Sequence, residues 1–498
     1  MIMNKTFARL GLIAMSLLAV GCDTTNVDDT VGSFYADYNK DAFEQCKPRG
    51  DKFDEFSDNP FVSVAEQHVS TFSVDADGAS YAVMRRYLSS GYTIDPQSVR
   101  IEEFLNYFTF DYPNPIGSES IAINAEVGDC PWNAGHKLLR LGIKGKSLAK
   151  SEVPKANFVF LVDVSGSMYT DDKLKLLKSG LIELVYKLNP DDRISIITYS
   201  GEVKKLLEST PAREAAKIKS AISKLQAEGC TNGGDALKMA YEEALKNYDA
   251  KRNNRIVLGT DGDFNVGVTN IEMLAGIVEK YAKQGIYMTC LGFGMGNLND
   301  AMMERISNLG NGAYHYIDCE DEMMKVFVTE RERFVSVAND TKCQLTFDSK
   351  LVSKYRLIGY ENRVMNNEDF DNDAKDAGEI GAGQTITALY EIVPTDEFKN
   401  NPKSTFCTFD VRYKRSLSDE SVPMQLKVAV EESAKPASAN LNFASGVAAY
   451  GMILRNSPYK GDATYDMACR LIKSSLSFDP DHRRSELLNL ITKAAQTK

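Results

Sequence analysis

The central part of the chain alternates short apolar runs with a helix-like spacing of apolar residues. Leucines recur every three or four positions from Leu174 to Leu188, where Asn189 and Pro190 end the pattern. The apolar runs that alternate with such stretches lie at 158–162, 194–197, 256–258 and 286–293. Strands buried on both faces and separated by helices predict an α/β domain with a doubly wound, mostly parallel sheet.

Strand-like runs also occur on both sides of this region. They lie at 121–127, 137–143, 343–347, 355–358, 385–393, 406–413 and 424–430. This number of strands is close to that of an immunoglobulin-like sandwich. Two arrangements remain open: the α/β domain is inserted into one sandwich built from both flanks, or the flanks form two separate β modules.

Helical patterns bracket these strands. Asp95 followed by Pro96 predicts a helix start, and Phe104 and Phe108 then fall on one face. From residue 441 onward the spacing is again helical, which predicts a helical C-terminal region.

The first residues have the pattern of an export signal. Lys5 and Arg9 precede an apolar run at 10–20, which is too short to span a bilayer. Residues 18–22 resemble the lipobox of bacterial lipoproteins, which implies cleavage before Cys22 and lipid attachment to it. An ordinary signal peptide with an incidental cysteine is the alternative.

Together these patterns divide the chain into six segments. The predicted segments are a signal peptide at 1–21, a lipid anchor and tether at 22–58, an N-terminal flanking region at 59–150, the α/β domain at 155–330, a β-rich region at 335–432 and a helical region at 438–498.

Composition narrows the classes of partner and metal. The 498 residues contain 58 Lys plus Arg against 69 Asp plus Glu, a net charge of −11, which argues against a nucleic-acid partner. The four histidines are scattered, and neither HExxH nor CxxC occurs, so a zinc site is not expected. Export permits disulfides, but pairing cannot be inferred from the spacing, and Cys290 within an apolar run is expected to be a buried thiol.

Three polar loops of the α/β domain carry the candidate chemistry. The first strand ends in Asp163, followed by Ser165 and Ser167; a second loop contains Thr231; a third, after the strand at 256–258, contains Asp261. Ligands of doubly wound sheets bind beyond the carboxyl ends of the strands, where these oxygens are expected to meet. Hard oxygen ligands favour Mg²⁺ or Mn²⁺.

These residues resemble the metal-ion-dependent adhesion site of the von Willebrand factor type A domain. The Asp-x-Ser-x-Ser motif, a later Thr and a later Asp occur in the family's order. The resemblance implies that Ser165, Ser167 and Thr231 provide hydroxyl ligands. It also implies that Asp163 and Asp261 bind the ion directly or through water, and that a carboxylate of a partner protein completes the coordination.

The flanks resemble those of one family of bacterial lipoproteins that carry this domain. The resemblance lies in residues 60–115, in 355–362 and around 448–459. It implies a lipid-anchored protein of the bacterial cell envelope that works in adhesion or assembly. The periplasmic face or the outer-membrane surface is favoured over the inner membrane.

Three other interpretations compete with this one. The metal could stabilise the loops of a scaffold without binding a partner. A phosphohydrolase could use Asp163 as a nucleophile, but a second Asp two residues later is lacking and no histidine base is apparent, so an enzyme is not expected. The acidic run at 368–379 could bind calcium, but Ala374 stands where an EF-hand needs Gly, which favours a solvated loop.

Overall fold

A computed structural model describes residues 50–229, 234–262 and 271–496. The predicted signal peptide, the lipidation site Cys22 and the predicted metal ligand Thr231 lie outside these described residues. They therefore stay predictions from the sequence.

The strands of the described residues are β1 Val62–Ser63, β2 Val69–Ser73, β3 Ile121–Asp129, β4 Lys137–Gly145, β5 Ala156–Asp163, β6 Arg193–Tyr199, β7 Val203–Pro211, β8 Asn253–Thr260, β9 Ile286–Phe293, β10 Tyr314–Ile317, β11 Ser336–Phe347, β12 Val352–Ile358, β13 Val364–Met365, β14 Gly378–Gly381, β15 Thr385–Pro394, β16 Thr405–Lys414 and β17 Val422–Ala429.

The α-helices are α1 Ala79–Ser89, α2 Ile101–Asn106, α3 Leu176–Lys187, α4 Ala215–Ser223, α5 Gly234–Lys246, α6 Ile271–Ala282, α7 Asp300–Leu309, α8 Glu320–Met324, α9 Glu397–Asn400, α10 Ala439–Leu454, α11 Tyr465–Lys473 and α12 Arg483–Gln496.

The central sheet has the order β10-β9-β8-β5-β6-β7, and every pairing is parallel except that of the edge strand β7 with β6. One apolar core includes Leu177 and Leu181 of α3 on one face, and another includes Leu237 of α5 and Leu274 of α6 on the other. The predicted fold class, a doubly wound and mostly parallel sheet, is confirmed.

The antiparallel strands form two sheets, and each contains strands from both flanks. One sheet has the order β1-β12-β15-β4-β3, and the other has the order β13-β2-β11-β16-β17, with β14 paired to β11. A single core of buried residues, from Val64 to Val430, is shared by both sheets. Of the two arrangements left open by the sequence, the structure contains the first: the α/β domain is inserted into one sandwich-like module.

Helices cover the outer face of the first of these two sheets. Leu138, Ile358 and Leu389 of that sheet share a core with α10, α11, α12 and the N-terminal helices α1 and α2. Helix α1 also contributes Ala82 and Val83 to the core of the α/β domain. The N-terminal flank therefore contacts the helical layer and the α/β domain at once.

Buried ion pairs join the N-terminal flank to the α/β domain. Arg85 lies 2.6 Å from Asp318 and 2.8 Å from Glu322, and Arg100 lies 2.5 Å from Asp300. Burial by itself raises the pKa of Glu322, but Lys325 and the nearby arginines outweigh it and hold that pKa well below its usual range. At this junction, the buried arginines are paired with buried carboxylates.

Some local expectations need correction. The helix expected from Pro96 is a 3₁₀ turn, Pro96–Ser98, followed by the separate helix α2. Sequence patterns did not predict β2 or the charged edge strand β7. The acidic run is only partly a solvated loop, since its last carboxylate, Glu379, lies in β14 with a buried oxygen.

The six cysteines of the described ranges are free thiols, and Cys290 is buried as expected. Within those ranges, no helix has both the length and the apolar character needed to cross a membrane.

Candidate metal centre

The candidate centre begins at the carboxyl end of β5, in the middle of the parallel sheet. Strand β5 lies between β6 and β8, with Val162 opposite Gly259, so that Asp163, the last residue of β5, lies at the level of Thr260 on its neighbour. Every residue of β5 is buried, including this terminal carboxylate. The sheet register thus brings the first and third predicted loops together.

Asp163 is fixed by two hydrogen bonds and is fully buried. Its Oδ1 accepts the backbone N–H of Ser165 at 2.9 Å, and its Oδ2 accepts the Thr260 hydroxyl at 2.9 Å. Burial and the nearby Asp261 carboxylate raise the pKa of Asp163 to about 7, although both hydrogen bonds oppose the shift. The neutral donors orient this carboxylate without neutralising it.

The two serines of the motif face each other in the first loop. Ser165 Oγ and Ser167 Oγ are 3.0 Å apart, and Ser165 is buried while Ser167 is half-buried. Met168 is fully buried and packs in the core below the loop. The loop therefore presents two hydroxyl oxygens beside Asp163 on a firmly packed base.

The loop that leads to Thr231 approaches the first loop through its backbone. Gly166 N–H donates to the carbonyl of Gly229 at 2.8 Å, and Glu228 N–H donates to the carbonyl of Val164 at 2.8 Å. Thr231, two residues after Gly229, lies outside the described residues, so its side chain stays a prediction. The backbone contacts bring residues 228 and 229, which precede it, to the loop of the two serines.

Asp261 follows β8 and is fully buried. Its Oδ2 accepts a hydrogen bond from the Lys173 ammonium at 2.9 Å, whereas Oδ1 is buried and has no hydrogen-bond partner among the described residues. The next residue, Gly262, has φ +99°, and a Cβ there would lie 2.3 Å from the backbone nitrogen of Asn299. Only glycine fits that close approach, which fixes the turn after Asp261.

The structure therefore places Asp163, Ser165, Ser167 and Asp261 at the carboxyl ends of the central strands β5 and β8. Lys173 was not found from the sequence, and neither was Thr260, which holds Asp163. Lys173 directly precedes the leucine pattern that begins at Leu174 and predicts only a helix, so no local signal marked it as part of the site.

The donor set fits an oxygen-bound divalent cation. It consists of two carboxylates and two hydroxyls, the hard ligands that Mg²⁺ and Mn²⁺ prefer. An unpaired buried carboxylate oxygen is costly unless a cation or a proton compensates for it. The free Oδ1 of Asp261 is such an oxygen.

Comparison with known proteins matches three sequence families along the chain. Residues 157–329 match the von Willebrand factor type A domain, residues 47–140 match a second family described as von Willebrand factor, and residues 332–497 match the C-terminal region of the uncharacterized protein YfbK. The three regions together span both flanks and the α/β domain.

YfbK of Escherichia coli strain K12 is 37% identical over 472 residues, which cover 90% of this chain and 81% of that protein. An uncharacterized protein of Synechocystis, sll0103, is 30% identical over 220 residues, 44% of this chain and 50% of the relative. A solved von Willebrand factor type A structure from Catenulispora acidiphila aligns over 74% of this chain and 88% of its own, with 14% identity and a TM-score of 0.44.

Proposed function

The chain belongs to the YfbK family of von Willebrand factor type A domain proteins, and we propose that it is a lipid-anchored protein of the bacterial envelope that binds a partner protein through a divalent cation. Domains of this type generally mediate protein–protein interactions, often through a metal site, and the family is generally non-enzymatic. The cation, the anchor and the partner's carboxylate are the proposed refinements.

The observation that carries the proposal is the incomplete pairing at Asp261. Its Oδ1 is buried beside a second carboxylate, Asp163, whose neighbours among the described residues are neutral hydrogen-bond donors. Asp163, Ser165, Ser167 and Asp261 would hold Mg²⁺ or Mn²⁺, with Thr231 as the fifth ligand. The bound cation supplies an electrophilic centre for an anionic oxygen.

The chain's own residues set the shape of this centre. Thr260 and the backbone of Ser165 hold the Asp163 carboxylate in one orientation, so little reorganisation is needed when a cation binds. Tyr169, two residues after the last serine of the motif, is 81% exposed and could offer a partner an aromatic contact. A partner that presents an accessible Asp or Glu beside an apolar residue matches these features.

Titration calorimetry with Mg²⁺ and Mn²⁺ on the full-length protein in detergent tests the metal site. We expect saturable binding that is lost in Asp163→Ala and in the double variant Ser165→Ala with Ser167→Ala, both with unchanged circular dichroism. Asp171→Ala is the control, because Asp171 is exposed and pairs only with Lys175 among the described residues. A folded parent that binds neither ion contradicts the proposed site.

A second measurement separates partner binding from a scaffold role. Envelope proteins cross-linked to the wild type but not to Asp163→Ala, with the difference abolished by EDTA, support metal-dependent recognition. Metal binding that raises the melting temperature without any metal-dependent cross-link supports the scaffold.

The anchor is tested at Cys22. Mass spectrometry of the mature N-terminus is expected to show acylation in the wild type. Cys22→Ser is expected to release the protein into the soluble fraction, because it removes the thiol to which the proposed lipid anchor is attached. A membrane-bound, unacylated wild type contradicts the lipid anchor.

A further inference from the structure

Lys173, which follows the motif residue Ser167 by six positions, is a buried cation that contacts Asp261 of the candidate centre. Its ammonium donates to Asp261 Oδ2 at 2.9 Å and lies 3.3 Å from Asn297 Oδ1. The side chain is only 9% exposed, and that of Asp261 is fully buried. A lysine at the surface would keep its ammonium in water, so this placement is specific.

The glycine at position 294 leaves space for the side chain of Lys173. Gly294 has φ +68°, and a Cβ built on it would lie 2.1 Å from Lys173 Cε and 2.9 Å from Cγ. Lys173 itself leaves helical geometry, with φ −121° and ψ −107°, just before α3 begins. The absent side chain at residue 294 makes room for the lysine stem to reach the carboxylates.

We propose that Lys173 is an internal counter-ion that lowers the affinity of the centre for divalent cations and, once a cation is bound, gives the centre a net positive charge that selects an anionic ligand. The inference rests on the proposed function and deepens it. It assigns to one residue outside the adhesion motif a role in balancing metal affinity against ligand affinity.

The charges of this poorly solvated centre favour a combination that sums to zero. Ionised Asp163 and Asp261 with Lys173 sum to −1; a divalent cation changes this to +1, and a partner carboxylate then brings it to zero. Without the lysine, the two carboxylates and the cation already sum to zero, and an incoming carboxylate would leave an excess negative charge. Buried groups favour the neutral combination.

Lys173 contacts only one carboxylate oxygen of Asp261, so the other oxygen stays available to a cation. The ammonium pairs with Oδ2, while Oδ1 is buried without a hydrogen-bond partner in the described ranges. The lysine and a cation can therefore share this carboxylate, one on each oxygen. The consequence is a lysine that tunes the centre without blocking it.

The test compares Lys173→Met with the wild type by Mg²⁺ and Mn²⁺ calorimetry on the full-length protein in detergent. Removal of one positive charge at this distance is expected to tighten cation binding on the order of tenfold to a hundredfold. Lys173→Arg keeps the charge and is expected to shift affinity far less. Lys175→Met is the matched control, because Lys175 is exposed and pairs with Asp171.

The same variants are then loaded with Mn²⁺ and titrated with acetate, with acetamide as the uncharged control. Displacement of water from the ion is followed by water proton relaxation. Lys173→Met is expected to bind acetate several-fold more weakly than the wild type. A merely structural lysine would not move cation and acetate affinity in opposite directions, so this split identifies the counter-ion role.

Each outcome decides between the two proposals. Equal or weaker cation binding by folded Lys173→Met, with binding by the wild type, overturns the counter-ion role and leaves the metal site intact. Cation binding by Lys173→Met but not by the wild type overturns the metal site of the wild type and, with it, the balancing role of its lysine. Binding by neither overturns both proposals. Should Lys173→Met not fold, Lys173→Gln keeps a hydrogen-bond donor toward Asp261 without the charge and gives the same comparison.

Discussion

Two buried carboxylates of this molecule have pKa values shifted in opposite directions. Glu322, at the junction between the N-terminal flank and the α/β domain, is buried beside Arg85 and Lys325 and accepts the Tyr107 hydroxyl at 2.6 Å. Its pKa is held low, because these cations outweigh burial. Asp163, at the sheet edge, accepts only neutral donors and faces Asp261, and its pKa is raised to about 7.

The two sites differ in the number of buried cations that accompany their carboxylates. At the junction, the protein supplies the counter-ions itself, so the charges contribute to cohesion. At the carboxyl end of β5, the one lysine, Lys173, pairs with Asp261, and Asp163 has no cationic partner among the described residues. Burial alone does not distinguish the two sites, whereas the count of opposite charges does.

The largest expected effect is at the junction. Glu322→Gln leaves Arg85 and Lys325 buried without their shared carboxylate, which is expected to lower the free energy of unfolding by about 3–5 kcal/mol. Urea unfolding followed by circular dichroism measures the loss. Glu320→Gln, on the exposed start of α8, is the control, and a similar loss in both variants contradicts the distinction.

A substitution at Asp163, at the carboxyl end of β5, is expected to change the free energy of unfolding in the opposite direction. Asp163→Asn removes a buried charge with no local cation of its own, and is expected to raise the unfolding free energy at pH 8 in EDTA by about 1–3 kcal/mol. Because the folded pKa of Asp163 is about 7, above its unfolded value, its contribution to stability is fully present below the unfolded pKa and is lost as the pH rises through 7. The gain of the variant is therefore expected to shrink at pH 5, and a variant less stable than the wild type at pH 8 contradicts the assignment.

A third buried carboxylate, that of Glu102, also has a raised pKa. Glu102 has a buried Oε2 without a hydrogen-bond partner in the described ranges, and burial followed by the charges of Glu361 and Asp75 raises its pKa to about 8. It is therefore expected to be protonated at neutral pH, and the stability it contributes is expected to be lost as the pH rises through 8. In the wild type, the free energy of unfolding is expected to fall between pH 7 and pH 9 as Glu102 ionises. Glu102→Gln is expected to reduce this fall by about 1 kcal/mol, which a series of melting temperatures over the same pH range measures. Identical pH profiles would contradict the raised pKa.

The smallest effect is expected at an exposed pair of the α/β domain. Lys283 lies 2.6 Å from Glu279 with 69% of its side chain exposed. Lys283→Met is expected to change the unfolding free energy by less than about 0.5 kcal/mol, since water screens such pairs. Urea unfolding at low and high salt measures this change. A decrease in the free energy of unfolding of more than about 1 kcal/mol would show that the exposure of an ion pair does not predict its contribution to stability in this protein.

The parts of the site that lie close in sequence could be predicted from the sequence. Asp163, Ser165 and Ser167 follow directly from a strand buried on both faces, so strand geometry alone places them at the carboxyl edge. Asp261 lies at the same end of the sheet because β8 pairs with β5, an adjacency that the structure shows and the sequence did not predict. Thr231 is still predicted only from its position in the motif order.

Lys173 could not be predicted, because its role depends on distant residues. Gly294 and Asn297, which shape its path, are more than a hundred positions away, and no local pattern connects them. The strand β7 escaped prediction for a related reason, since an edge strand tolerates the charged residues that obscure its alternation. β2 is short, polar in composition and defined by its pairing to β11.

The shared sheets of the two flanks have a consequence for the order of folding. Thr71 of β2 pairs with Gln344 of β11, 273 positions later, so the outer module has a very high contact order. Closing such a loop in an unfolded chain carries a large entropic cost. Yet Gly145, at the end of β4, lies against Val337, near the start of β11, so the inserted domain enters and leaves at adjacent points. Once that domain has folded, it holds the end of β4 close to the start of β11, which lowers the entropic cost of pairing the N-terminal strands with their partners late in the sequence.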